Sequence, residues 1–244
     1  TVFQRTPNFS IPARNQPLDK TFVQGWKSSY PELRRYAREE TPSGTIYDWP
    51  SCSALDVDPE EREREYRWRW EKGGVNFSHS YNDLSVNERA NTTAANFVRD
   101  RIQATVKDPE TAEDLCPRDY PIFCKRICLD TEYFETFNRH NVDLVNLRKT
   151  PLEAIERQCI RTPDGLHELD TIVYATGFDA ITGAITAIDI RGRDNRSLSD
   201  KWAEGPRAYL GLASEGFPNL FMITGPGSSS VPSNVIVSIE QQGG

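Results

Sequence analysis

Two short apolar runs that each end on glycine constrain this chain more than any other feature. Residues 169–183 read LDTIVYATGFDAITG and residues 220–230 read LFMITGPGSSS. Each places a β-favouring stretch, 171–175 and 220–224, directly before a glycine, which is how a buried strand delivers its backbone to a ligand. Gly177 and Gly225 lack a Cβ, so the chain there can turn sharply and lie against a planar ring or a phosphate. Taken alone, either run reads more plainly as a core strand ending in an ordinary turn. Two of them, the second followed by Ser233-Asn234 opening the helix-like VIVSIEQQ, shift the reading toward a ligand site at strand carboxyl ends.

A chain of 244 residues with 37% hydrophobic content can bury one large core or two ordinary ones. Its net charge of -7 disfavours nucleic acid or an anionic membrane as partner, since both require a basic field. A nucleotide cofactor, needing only local cations, survives that test. The 5 cysteines, an odd number, imply free thiols in a reducing, cytoplasmic compartment rather than a disulfide framework. Thr1-Val2-Phe3-Gln4 opens without Met and directly as a strand, which leads us to expect a piece of a longer polypeptide.

After that strand, Pro7, Pro12 and Pro17 predict an irregular surface connection. Residues 20–117 read as mostly helical. Pro31 starts one helix before ELRRYAREE, and Asp58-Pro59 caps a second, EEREREYRWRWEK, that stops at Gly73-Gly74. In the second, Glu60, Glu63 and Glu65 stand four residues before Arg64, Arg67 and Arg69, the spacing of helical ion pairs on a solvated face. Residues 87–106 predict a third helix with Ala90, Ala94, Phe97, Val98 and Ile102 inward, and Asp108-Pro109 starts a fourth. From Pro117 the pattern changes to short alternating elements: a strand at KRICL (125–129), a helix at TEYFETFNR, a strand at VDLVN. A hairpin follows around Thr162-Pro163-Asp164-Gly165. This is α/β texture with a helical insertion before it.

The three histidines, His79, His140 and His167, are far apart, and Cys124 with Cys128 matches no zinc pattern, so no metal site is expected. GPGSSS lacks the G-x-S-x-G elbow of a hydrolase. The basic residues say more. Arg5 and Thr6 follow the opening strand, and Lys125-Arg126 stands where α/β texture resumes. A guanidinium fork, a hydroxyl and an ammonium together suit a phosphate, although by themselves these residues read more plainly as solvated surface charge.

VFQRTPNFSIPARN, CPRDYPIFCKRICLDTEYFETFNRHNVDLVN, ELDTIVYATGFDAITGAITAIDIRG, KWAEGPRAYLGLASEGFPNLFMITGPGSSS and SNVIVSIEQQ together carry a resemblance. The chain resembles the middle and C-terminal portion of the flavin-dependent Baeyer–Villiger monooxygenases, class B flavoprotein enzymes that turn ketones into esters or lactones. The resemblance implies an incomplete α/β flavoprotein with two Rossmann-like dinucleotide-binding domains, for FAD and NADP(H), and a helical insertion. On it, residues 1–19 end a strand and linker of the NADP-binding domain, 20–117 are the insertion, 118–175 complete that domain, and 176–244 belong to the FAD-binding domain. Arg5, Thr6 and Lys125 fall on positions that hold the NADPH 2′-phosphate, and Arg126 on the catalytic arginine. Ala175, Thr176, Gly177, Phe178 and Asp179 match a hinge between the nucleotide domains. Val235 matches a residue beside the flavin, and Ser230, Val231 and Pro232 a loop lining the substrate pocket.

The implied reaction inserts one oxygen atom of O2 beside a ketone carbonyl through a peroxyflavin, using NADPH. The departures are the absence of G-x-G-x-x-G and of F-x-G-x-x-x-H, both of which would precede Thr1, and the close of the chain at Gly243-Gly244. The expected partners are therefore a small ketone, O2 and a missing N-terminal FAD-binding part of the same protein. Two alternatives stand beside this one: a flavin N- or S-hydroxylating monooxygenase, and a truncated nucleotide-binding or interaction module without catalysis.

Overall fold

The computed structural model describes residues 1–228 and 234–243. Along the chain come β1 (Val2–Gln4), β2 (Ser10–Pro12), α1 (Lys20–Ser28), α2 (Tyr30–Glu39), α3 (Pro59–Lys72), α4 (Glu88–Thr105) and α5 (Pro109–Leu115). They are followed by β3 (Cys128–Asp130), α6 (Tyr133–Thr136), β4 (Leu144–Asn146), β5 (Ala154–Ile155), β6 (Cys159–Thr162), β7 (Gly165–Glu168), α7 (Gly183–Thr186), α8 (Leu198–Lys201) and α9 (Val235–Gly243). The chain divides into two compact units, Thr1–Leu18 with Tyr47–Ile172, and Asp19–Ile46 with Val173–Gly244. α1 and α2 belong to the second unit and α3 to α5 to the first.

In the first unit the helices begin where capping chemistry places them. The Asp58 carboxylate accepts from the Glu61 N–H at 2.8 Å and Asp108 from the Thr111 N–H at 2.8 Å, each ahead of a proline at the first helical position. α3 stops at Gly73, whose φ of +74° would strain any other residue and where an added Cβ would lie 2.3 Å from Arg14 Cγ. Glu63 pairs with Arg67 at 3.0 Å and Glu65 with Arg69 at 2.7 Å. Arg69 departs from the expected solvated face: its side chain is buried and also reaches the Asp48 carbonyl at 3.3 Å. α4 turns Ala90, Ala94, Phe97, Val98 and Ile102 inward as their spacing requires.

These helices close on an aromatic core. Phe77 stacks on Phe97 with ring centroids 5.5 Å apart, and Tyr66 meets Tyr81 edge-on at 5.5 Å. Burying each such ring stabilises by about 2–3 kcal/mol, with about 1 kcal/mol more for a well-oriented pair. The Tyr66 hydroxyl, pushed up to about 12 chiefly by burial, shares a 2.7 Å hydrogen bond with Thr93 Oγ1.

Two parallel strand pairs flank this core. β1 pairs with β4 (Val2↔Leu144, Phe3↔Val145, Gln4↔Asn146), and β2 with β3 (Ser10↔Cys128, Ile11↔Leu129, Pro12↔Asp130). β2 corrects the expectation of an irregular proline-rich connection: Ser10 and Ile11 are buried, and Pro12 falls at the strand end, where its missing N–H is tolerated. β3 begins at Cys128, so Lys125 and Arg126 stand in the loop before it and not in a strand. β5, β6 and β7 form an antiparallel sheet, its hairpin closed by Thr162↔Gly165 around Pro163-Asp164.

The second unit has a smaller core of Leu198, Trp202, Phe217 and Met222, against which Ile185, Ile190 and Leu220 pack. α9 is held by contacts along its length. Asn234 donates its backbone N–H to the Ser43 carbonyl at 2.7 Å and its side-chain amide to the Gly44 carbonyl at 3.1 Å. Glu240 pairs with Arg34 and Arg38, and Gln242 accepts from the Thr224 N–H at 2.7 Å. The two runs expected as buried strands are a correction. Neither 171–175 nor 220–224 forms a strand; Val173 is 83% exposed and Phe221 82%, with only Met222 of the second run buried. A parallel strand takes its hydrogen bonds from neighbours on the sheet, and among the described residues neither run has one.

Candidate functional site

Because β1 and β4 run parallel, the residues after each emerge at the same edge. Arg5 is exposed and Thr6 half-buried beyond β1; Leu147 and Arg148 follow β4. The Leu147 N–H donates to the Gln4 carbonyl at 2.8 Å, and the Arg148 N–H to Asn146 Oδ1 at 3.0 Å, which fixes the turn. From there Arg148 Nη2 donates to Thr6 Oγ1 at 3.2 Å while Nη1 pairs with Asp119.

Lys125 reaches the same neighbourhood through Tyr120. Its ammonium sits 4.1 Å over the Tyr120 ring, and the Tyr120 hydroxyl donates to the Pro7 carbonyl at 3.0 Å and lies 2.6 Å from Asn8 Oδ1, immediately after Thr6. Burial pushes that hydroxyl up, which keeps it a neutral donor. The loop is tied down at both ends: Arg99 Nε donates to the Pro117 carbonyl at 2.8 Å, and the buried Asn91 amide to the Ile122 carbonyl at 2.8 Å. Thr6 and Arg148 thus meet directly at the strand edge, with Arg5 beside Thr6 in the chain, and Lys125 is linked through Tyr120 to the Pro7-Asn8 segment that follows. A planar fork, a hydroxyl and a mobile ammonium can together hold a phosphate monoester. Arg148 was not among the residues singled out from sequence, because nothing local marks it.

Arg126 is exposed in the loop after Phe123, a residue at φ +71°. Its charge is felt at Tyr47, whose hydroxyl burial pushes up and Arg126 partly pulls back. Tyr47 stacks on His79 at 4.3 Å, and Trp49 meets the same imidazole edge-on at 4.9 Å. Burial holds His79 below the usual histidine range, a nearby Arg69 acts in the same direction, and a hydrogen bond to the Val75 carbonyl opposes them. Tyr47 too was invisible in the sequence.

In the second unit Ala175, Thr176, Gly177, Phe178 and Asp179 are all exposed, Phe178 fully. Gly177 has φ +97° and nothing within 4 Å of where a Cβ would stand, so its backbone is open to a flat ligand. Val235, half-exposed, begins α9. Ser230, Val231 and Pro232 lie outside the described residues. Among the described residues no three or more His, Cys, Asp or Glu side chains gather to hold a metal ion, and no helix is long and apolar enough to cross a membrane.

No protein-family model matches the chain. It is 41% identical to 2-oxo-Δ3-4,5,5-trimethylcyclopentenylacetyl-CoA monooxygenase of Pseudomonas putida, over 96% of this chain and 43% of that protein. To phenazine N-monooxygenase PhzNO1 of Lysobacter antibioticus it is 37% identical, over 99% of this chain and 44% of that one. To cyclopentanone 1,2-monooxygenase of a Comamonas species the identity is 36%, over 100% and 44%. Among solved structures, OTEMO in complex with FAD and NADP matches with a TM-score of 0.92 at 41% identity, covering 98% of this chain and 44% of that chain. The chain therefore spans a little under half the length of the curated relatives it matches.

Proposed function

We infer, for a chain that is homologous over nearly its whole length to the flavin-dependent Baeyer–Villiger monooxygenases, that it carries the NADPH-selecting part and the C-terminal flavin-side part of such an enzyme. Its fold is α/β, the corresponding portion of a two-dinucleotide-binding flavoprotein. The whole protein would use NADPH, FAD and O2 to insert an oxygen atom beside the carbonyl of a small ketone. The first unit would bind NADPH and the second contribute to the flavin side. The five free thiols support a cytoplasmic setting.

One observation carries this reading: the parallel β1–β4 edge gathers a hydroxyl and cations of two geometries where a nucleotide phosphate would lie. NADP(H) fits that edge. The exposed 175–179 turn, with open space over Gly177, fits the flank of a flavin.

NADPH when bound would supply reducing equivalents and FAD the activation of O2; the rest falls to side chains of this chain. Arg5, Thr6 and Lys125 would bind the 2′-phosphate and so exclude NADH. Arg126 would stabilise negative charge developing on oxygen as it reaches the carbonyl, a contribution of about 3 kcal/mol for one such group. Ser230, Val231 and Pro232 would line the ketone pocket, with Val235 beside the flavin. A second reading, N-oxygenation, is favoured by the likeness to a phenazine N-monooxygenase.

The test is flavin content, cofactor preference and product of the whole protein. Yellow protein that oxidises NADPH well ahead of NADH and turns a cyclic ketone into a lactone, by mass spectrometry, supports the reading; an N-oxide from an aromatic amine supports the second. Colourless protein leaves only the module without catalysis. Lys125→Ala should raise the NADPH KM and leave NADH turnover nearly unchanged, and equal losses with both would remove the phosphate assignment.

A further inference from the structure

We propose that Arg148 is a further specificity-determining residue of the nucleotide edge, taking the phosphate of a 2′-phosphorylated nucleotide, and that Asp119 is the anion it holds otherwise. The proposal rests on the reading of the β1–β4 edge as the NADPH site.

Register is the first argument. Gln4 and Asn146 are paired, so Thr6 and Arg148 each stand two residues beyond a paired position on adjacent parallel strands. They meet although 142 residues apart in the chain, through the 3.2 Å hydrogen bond from Nη2 to Thr6 Oγ1. In that bond the hydroxyl accepts, so its own hydrogen remains to be donated to an anion placed beyond it. Arg148 thereby orients Thr6 as a donor and presents a guanidinium to the same space.

Asp119 is the second argument. It pairs with Nη1, with the two side chains 50% and 48% exposed. A half-exposed ion pair is worth little and exchanges readily, whereas a dianionic phosphate offers three oxygens to the planar fork. Asp119 also precedes Tyr120, the ring beneath Lys125. Transfer of Arg148 from carboxylate to phosphate would occur beside the other cation of the cluster, and no bond is made or broken in it. An adenosine without the 2′-phosphate offers nothing to replace Asp119, so Arg148 would add affinity for one cofactor alone.

The experiment is calorimetric titration of NADP+, NAD+ and 2′,5′-ADP into the whole protein and its variants. Arg148→Ala should weaken NADP+ and 2′,5′-ADP by about tenfold or more and leave NAD+ within about twofold, the loss of a charge-assisted contact. Arg148→Lys should recover part of that affinity, and Asp119→Asn should tighten NADP+ without tightening NAD+. Equal weakening of NADP+ and NAD+ by Arg148→Ala, with Lys125→Ala still selective, would overturn the role of Arg148 and leave the edge as the NADPH site. Unchanged discrimination in both Arg148→Ala and Lys125→Ala would overturn the edge itself.

Discussion

Replacing Asn91 by Ala is expected to loosen the loop that carries Lys125 and Arg126 without touching either. The Asn91 side chain is buried on α4, and its amide donates to the carbonyls of Leu84 and Ile122, each at 2.8 Å. Alanine leaves both carbonyls without that donor. At roughly 1–2 kcal/mol for each acceptor, the loss is about 2–4 kcal/mol. Ile122 stays anchored by its own burial, so the loop is loosened and not lost. Because the chain falls into two units, a single global unfolding free energy is poorly defined, and hydrogen exchange of α4 and loop amides is the suitable assay. The expected loss of protection is roughly 30- to 700-fold, with 1.4 kcal/mol per factor of ten. Asn91→Asp keeps the shape but removes both donors and buries a carboxylate beside two carbonyls, so it should be worse at neutral pH. Burial raises the folded-state pKa of such a carboxyl, so its deficit should shrink as pH falls through that raised value and a proton restores one donor. Protection of the Ala variant within about threefold of the parent would refute the reasoning, because two unsatisfied buried carbonyls cannot cost so little.

Arg126→Ala in the whole protein should still bind FAD and NADPH yet lose ester formation, and Arg126→Lys should restore it only in part; ester formation by the Ala variant at the parental rate would remove Arg126 from the chemistry. His79 has its folded-state pKa depressed by burial, so the unfolded chain binds the proton first. Stability is therefore complete above the ordinary histidine range and falls as pH drops from there through the depressed value. His79→Gln should flatten that part of a pH profile of hydrogen-exchange protection in the first unit, and an unchanged slope would show that the imidazole near Tyr47 and Trp49 does not set it. Residues 1–244 produced alone should associate in solution, because Val173, Phe178 and Phe221 expose 83%, 100% and 82% of their surface. Co-production with the rest of the protein should restore dispersed, yellow material; a monodisperse 244-residue product by light scattering would contradict this.

What was legible in the sequence is what short-range chemistry controls. Asp58 and Asp108 before prolines, Asn87 before an apolar stripe, and Gly73 after a charged helix announce helix ends because capping and left-handed backbone are decided within a few residues. The hairpin around Pro163-Asp164 is local in the same way. The family resemblance singled out Arg5, Thr6, Lys125 and Arg126, of which Arg5 and Thr6 follow β1 at the β1–β4 edge while Lys125 and Arg126 stand in the loop before β3. The sequence could not supply Arg148, Tyr47 or Asn91, because each owes its place to segments far away in the chain: Arg148 to the pairing of β1 with β4, Asn91 to the packing of α4 against the loop at Ile122. The same limit explains the error at 171–175 and 220–224. Their composition favours extended backbone, but a strand is a relation between two chains of hydrogen-bonding groups, and only the tertiary structure decides whether the second is there.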